Sequence, residues 1–364
     1  MQSYKGDPQF VKENYGHKVN LRRLDLDRFR GKFEMIFPMT TPYASGQGQR
    51  PQPHIIYLDL MKWVDLLQAE ADRSSKYRAA LQAAERLVAS RQAVFPLSFA
   101  HFVEVAKIGD DARRRRLGRL MAALSQGWFL ISSSAHIVAD LRWAVAAVFE
   151  KPFTYQVTSP ITRSLKLAFA APGSLGPADF DDTILNWPGA LEELLSSARA
   201  AADFVARWKT ISDEHERGRA LRWEASREIR KRAYCILVIE AIHGRLVTVL
   251  GEFGLKWQDF LDLGPDRCVQ LLEMVPALDV EINLHTERNE HRDRRIQPND
   301  EIDIGFLSLA VPYCDIVVTE RFWTDLVRRK KLAVKYGTKV SWDLNDAMSN
   351  LCIRDFELPA KGPG

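Results

Sequence analysis

The sequence predicts an α/β protein in which a parallel sheet is flanked by helices. Three observations point there. Short β-branched runs, His54 to Leu58 and Ile316 to Val318, are too brief for helices and lie between longer helical patterns. Strand-like and helix-like stretches alternate from residue 54 to about 150 and again after 296, as a parallel sheet with crossover helices requires. Between them, residues 151–295 read as helix throughout, which predicts a large all-helical insertion between the two halves of one sheet domain.

The elements follow in order. Residues 1–53 have no clear period and are expected to be a flexible extension. Tyr43 to Pro53 is rich in Gly, Gln and Pro, and Met35 and Met39 offer alternative starts. Strand 54–58 ends in Asp59, a helix covers about 61–71, and a second covers about 74–90 with Leu81, Ala84, Leu87 and Val88 at helical spacing. Val94 to Leu97 is a short strand. Ser98 then opens a helix carrying Glu104, and Ala112 to Ser125 forms the next, with Arg113 to Arg116 inside it. Gly127 to Ile131 reads as a strand and Ser134 to Phe149 as a helix, closing the first half at residue 150.

In the block 151–295, Pro172-Gly173-Ser174 and Gly176-Pro177 punctuate a loop. Leu191 to Trp208 and Asp213 to Leu250 are the long helices, with Ser212, Glu214 and Glu216 marking the start of the second. Leu261 to Pro265 stops a helix, and a new one runs to Met274. The second half, 296–358, opens with an acidic helix start in which Asp300 is the expected N-cap and Asp303 stands three residues later. An apolar helix broken at Pro312 leads to strand 316–318, which ends in Thr319-Glu320. A helix Arg321 to Leu332, a strand Thr338 to Trp342 and a disordered tail at 359–364 complete the chain.

Composition narrows the setting. With 364 residues, 46% hydrophobic and 27% charged, the chain has the make-up of a soluble globular protein with a full core. Its net charge of +4 weakly favours an anionic partner. Cys235, Cys268, Cys314 and Cys352 are scattered without zinc spacing, which suggests buried thiols in a reducing, cytoplasmic setting. Met1 to Gly16 is too polar for a signal peptide. The most apolar run, Ala233 to Leu250, contains Glu240, His243 and Arg245 and is expected to be a core helix rather than a membrane span. No membrane association is expected.

Four acids stand out by position. Asp59 and Glu320 follow strands, where open α/β sheets place their ligands, while Glu104 and Asp303 lie on helices. Carboxylates converging from several elements suit Mg²⁺ or Mn²⁺, hard cations that prefer oxygen. Each acid also has a plain reading: Asp59 as a turn residue, Asp303 as a helix-start charge, Glu104 and Glu320 as surface groups. The ordered set is more specific than any member.

The set resembles the PIN-like nuclease family. The matching features are a strand ending in Asp59, a Ser98-started helix with an inward Glu104, a helix-opening Asp303, and Thr319-Glu320 after a strand, 16 positions on from Asp303 (319 − 303). The family often has Asp where this chain has Glu320. The resemblance covers about residues 54–150 and 296–345. It implies a metal-dependent nuclease that hydrolyses phosphodiester bonds, in single-stranded RNA rather than DNA. Asp59, Glu104, Asp303 and Glu320 would be the catalytic metal ligands, with Ser98 and Thr319 supporting them. Small bacterial members of the family are toxins or defence effectors. A regulatory protein partner and a homo-oligomer stay open.

Basic residues supply the expected grip on phosphate. Arg292, Arg294 and Arg295 shortly precede the Asp303 helix and are expected to steer RNA. Arg113 to Arg116 wraps around its helix and reads equally well as a solvated face. The rival to an enzyme is a PIN-like scaffold that binds a protein or nucleic acid without catalysis, since fold does not dictate function.

Overall fold

The computed structural model describes residues 53–155, 159–169, 189–197 and 202–354. The expected flexible extension, the loop around Pro172 to Pro177 and the 359–364 tail fall outside these residues.

Four strands form one parallel sheet: β1 (His54–Leu58), β2 (Ala93–Val94), β5 (Ile316–Val318) and β6 (Lys339–Ser341), in the order β2-β1-β5-β6. Between them in sequence come β3 (Phe129–Leu130) and β4 (Ile161–Thr162), an antiparallel pair. The register sets Leu58 beside Val318 and Val318 beside Ser341. Two further bonds carry the ladder past the strands: Asp59 N donates to Val318 O at 2.9 Å and Thr319 N to Ser341 O at 3.0 Å. The carboxyl ends of β1, β5 and β6 therefore share one edge, with Asp59, Thr319 and Trp342 next in line.

The sheet is covered by helices because its strands are apolar on both faces, as parallel strands must be. Ile56, Leu58 and Val318 are buried among Trp63, Leu66, Leu81, Phe95, Phe129, Leu344 and Met348. Each fully buried large side chain contributes roughly 1.5–3 kcal/mol relative to exposure. Most of the described chain is helical, and the molecule is an α/β protein built on this four-stranded sheet.

Several boundaries differ from expectation. Strand β4 interrupts the block expected to be all helix. The long helix expected from Asp213 is two, Ala202–Leu221 and Arg227–Glu252. Ser212 lies inside the first, where its Oγ donates to Lys209 O at 2.9 Å, while Ser226 caps the second by accepting from Ile229 N. Ser212 does not cap because it lies inside the helix, away from the free N–H groups of a helix start. The helix Pro276–Asn289 was not anticipated. It buries Asp279, Asn283, His285 and Arg288 along with its apolar residues, so it has no stripe for a period to reveal.

The acidic helix start is also shifted. The helix is Pro298–Tyr313, with Gln297 at the N-cap and Pro298 at its first position. Asp300 is not the cap: its Oδ2 accepts the Gln297 N–H at 3.0 Å, the reciprocal half of a capping box. Pro312 does not break this helix, because a missing donor in the last turn costs one bond and the chain turns at Cys314 anyway. The helix after Glu320 ends at Arg329. Lys331 then adopts a left-handed conformation (φ 55°) before the short helix Leu332–Tyr336. A final helix, Leu344–Arg354, seats Leu344 and Met348 in the core.

One helix among the described residues, Arg227–Glu252, is long and apolar enough to cross a membrane, with 44% of its most apolar window buried. Cys235, Cys268 and Cys314 are buried free thiols.

Candidate metal centre

The four sequence-selected acids meet at the carboxyl edge of the sheet. Asp59 leaves β1 in an extended conformation and stands before the helix Leu60–Ala71. Glu104 projects from the helix Phe99–Ala106, and Asp303 lies one turn beyond Asp300 on Pro298–Tyr313. Asp59, Glu104 and Asp303 line one small cleft with Tyr57, Phe306, Leu307 and Thr319. Its volume is ≈ 10 Å³, room for about one water-sized particle. Glu320 is more exposed and stands at the rim, where it opens the helix Arg321–Arg329.

Two neutral donors orient the carboxylates. Thr319 Oγ1 donates to Asp59 Oδ2 at 3.0 Å, and Trp323 Nε1 to Asp303 Oδ2 at 2.9 Å. Neither of these bonds uses Oδ1 of its carboxylate. Ser98 is one step further back, its Oγ 3.2 Å from the hydroxyl of Tyr57. His101 ties this wall to β1. Its Nδ1 accepts Ser98 N–H at 2.9 Å, so Nε2 carries the hydrogen and donates to Leu58 O at 2.8 Å. Burial pushes the His101 imidazole down to about 4, and it stays neutral as a structural link.

Burial and mutual charge both raise the acids' affinity for protons. Burial, reinforced by the Asp59 charge, pushes Glu104 up to about 7. Asp303 is raised well above the carboxylate range by burial, then by Asp59 and Glu104. Asp59 is raised by burial against the opposing Thr319 hydrogen bond, and Glu320 by burial and Asp59. Lys62, Lys107 and Arg294 relieve this repulsion only in part. Such a cluster favours a cation or protons. Three other acids have structural partners. Asp315 Oδ2 accepts Ile55 N–H at 2.8 Å, Asp65 pairs with Lys62 at 3.6 Å, and Asp140 accepts from Tyr155 at 2.7 Å.

The basic residues are placed less simply. Arg294 forms a bidentate pair with buried Asp300 (2.6 and 2.6 Å) and stands 4.2 Å from the Phe322 ring centroid. Arg292 stacks on Trp223 at 3.8 Å, and exposed Arg295 lies 3.5 Å from Asp213. Within the run 113–116, Arg114 is buried and donates to the carbonyls of Ser196 and Ile108, at 2.5 and 2.6 Å. Arg113, Arg115 and Arg116 are exposed.

A second group was invisible in the sequence. His215, His285 and Glu301 bring possible ligand atoms within 4.8 Å of one another. Arg288, 1% exposed, already sits there: Nη1 is 2.7 Å from Glu301 Oε1 and Nη2 3.0 Å from His285 Nδ1. Arginine only donates, so His285 Nδ1 accepts and its Nε2 hydrogen faces Glu301 Oε2 at 3.5 Å. Burial pushes Glu301 up, but the His215 hydrogen bond and the Arg288 charge outweigh it and hold the carboxyl low. A permanent cation in the ligand position makes this an ion-pair network. The signal is one residue each from three helices, up to 86 positions apart, which no local pattern reveals.

Comparison with family models, with curated proteins and with solved structures gives no match.

Proposed function

We propose that the chain is a metal-dependent nuclease with a PIN-like core. Residues 54–150 and 296–358 form that core, and 151–295 is the helical block set between them. The observation that carries the reading is the cleft itself: Asp59, Glu104 and Asp303 share one ion-sized space at the carboxyl edge of a parallel sheet. Its ionisable groups are three carboxylates and the Tyr57 phenol, all oxygen donors, and the raised affinity of Glu104 and Asp303 for protons reflects burial and then a mutual repulsion that a divalent ion would relieve. The residues therefore fit Mg²⁺ or Mn²⁺ better than a soft metal.

Asp59, Glu104 and Asp303 would hold the ion, with Glu320 reaching in from the rim. When bound, it would supply a water activated at neutral pH and a counter-charge for the phosphate. Thr319 and Trp323 fix the Asp59 and Asp303 carboxylates, so little reorganisation is left for the reaction. The substrate is proposed to be single-stranded RNA.

The test is direct. Full-length protein should cleave labelled single-stranded RNA with Mn²⁺ or Mg²⁺, and cleavage should vanish with EDTA or in Asp59→Asn. No cleavage with either cation, together with no Mn²⁺ binding by calorimetry, overturns the reading.

A further inference from the structure

The edge that carries the acids also carries an exposed indole. Strands β1, β5 and β6 are adjacent and parallel, and the residues that follow them are Asp59, Thr319-Glu320 and Trp342. Neighbouring strands lie about 4.8 Å apart, so the Trp342 backbone starts about 10 Å from that of Asp59. Trp342 is 42% exposed, whereas Trp63 and Trp323 are fully buried. Its ring stands 5.7 Å from the guanidinium of Arg321, the residue next to Glu320. Arg321 is exposed and makes no ion pair among the described residues, unlike Arg294 and Arg295.

An exposed indole with a planar cation over its ring, next to Glu320 at the rim of an acidic cleft, offers partners for the two parts of a nucleotide. We propose that Trp342 and Arg321 form a nucleotide subsite, in which a base of a single strand stacks on Trp342 and Arg321 binds the adjoining phosphate. This inference rests on the nuclease reading of the same cleft. Stacking needs an unpaired base, because duplex bases already stack on their neighbours. The subsite therefore selects single strands, and it tolerates any base because each has a π-face.

Binding is read by fluorescence anisotropy with the full-length Asp59→Asn protein in Mg²⁺, so that no cleavage intervenes. The probes are a uridine oligomer, an abasic oligomer of equal length and a duplex. Trp342→Leu keeps an apolar side chain without a stacking face and should weaken uridine-oligomer binding about 5- to 100-fold. Trp342→Phe should retain most of the affinity. The abasic oligomer should bind weakly and respond little to Trp342→Leu. Arg321→Gln should weaken all three probes and lower the salt slope by about one.

Equal affinity of the Trp342→Leu and Asp59→Asn proteins for the uridine oligomer overturns the subsite, as does equal affinity of the Asp59→Asn protein for uridine and abasic strands. Either result leaves cation-dependent cleavage by the wild type untouched. Conversely, Trp342-dependent binding by a wild type that never cleaves supports the subsite and removes the nuclease.

Discussion

Thr319 Oγ1 donates to Asp59 Oδ2 at 3.0 Å, joining residues 260 positions apart in sequence. Beside it, Asp59 N donates to Val318 O at 2.9 Å, so both side chain and backbone fix Asp59 to β5. The two halves of the chain are thus locked together at the residue proposed as the first ligand. Thr319→Val keeps the shape and removes the donor. It should reduce Mn²⁺ affinity about 10- to 100-fold with little change in thermal midpoint, because outer partners tune a ligand more than they hold the fold. Calorimetric titration measures this, and unchanged affinity would make the bond structural.

Asp300 and Asp303 should respond in opposite ways. Asp303 faces other carboxylates, so Asp303→Asn removes repulsion and can keep the Trp323 hydrogen bond through Oδ1. The cation-free protein should melt at a higher temperature, with cleavage abolished. Asp300 is 2% exposed and bonded to Arg294 and Gln297 N–H, so Asp300→Ser should cost about 1.5–3 kcal/mol. Arg294 is 32% exposed, so the loss stays below that of a fully buried pair. A lower midpoint for Asp303→Asn in EDTA would exclude it from the repelling cluster.

The acid cluster also sets a pH dependence. Glu104 is raised from its ordinary 4.5 to about 7 on folding, so the folded state holds its proton more tightly than the unfolded chain. Its stabilising contribution is complete below about pH 4.5 and is lost as pH rises through 7. In EDTA, Glu104→Gln should match the wild type near pH 4.5 and be the more stable protein at pH 8. Mn²⁺ should narrow the gap at pH 8. Thermal melts across this range decide it, and a gap that widens toward acid would reverse the sign.

The Glu301 network should behave as structure. Glu301→Gln leaves Arg288 buried without its counter-charge, with an expected loss of about 3–5 kcal/mol. Urea denaturation reads the loss. EDTA should leave the urea midpoint of an Asp59→Asn protein unchanged. A fall in that midpoint would instead mark His215, His285 and Glu301 as a second metal site.

Much of the sheet was legible in the chain. Strands β1 and β5 are short β-branched runs, and the acids that follow them stand at strand ends where a local pattern predicts a site. Asp303, 16 positions before Thr319, lines the cleft, whereas Asp300 pairs with Arg294. The N-cap assignment failed because Pro298 moved the helix start three residues earlier than the acidic run suggested.

The α/β class, the β1 and β5 strands and the acids placed beside them could be read from the chain alone. These depend on period, side-chain branching and position within an element, all properties of a few consecutive residues. Which charges face one another was set by folding. It buried Arg288 against Glu301, paired Arg294 with buried Asp300 and Thr319 with Asp59, and left Trp342 and Arg321 in the open beside Glu320. Charge pairing and exposure depend on neighbours that lie up to 260 positions away, and electrostatic energy follows distance in space rather than distance along the chain.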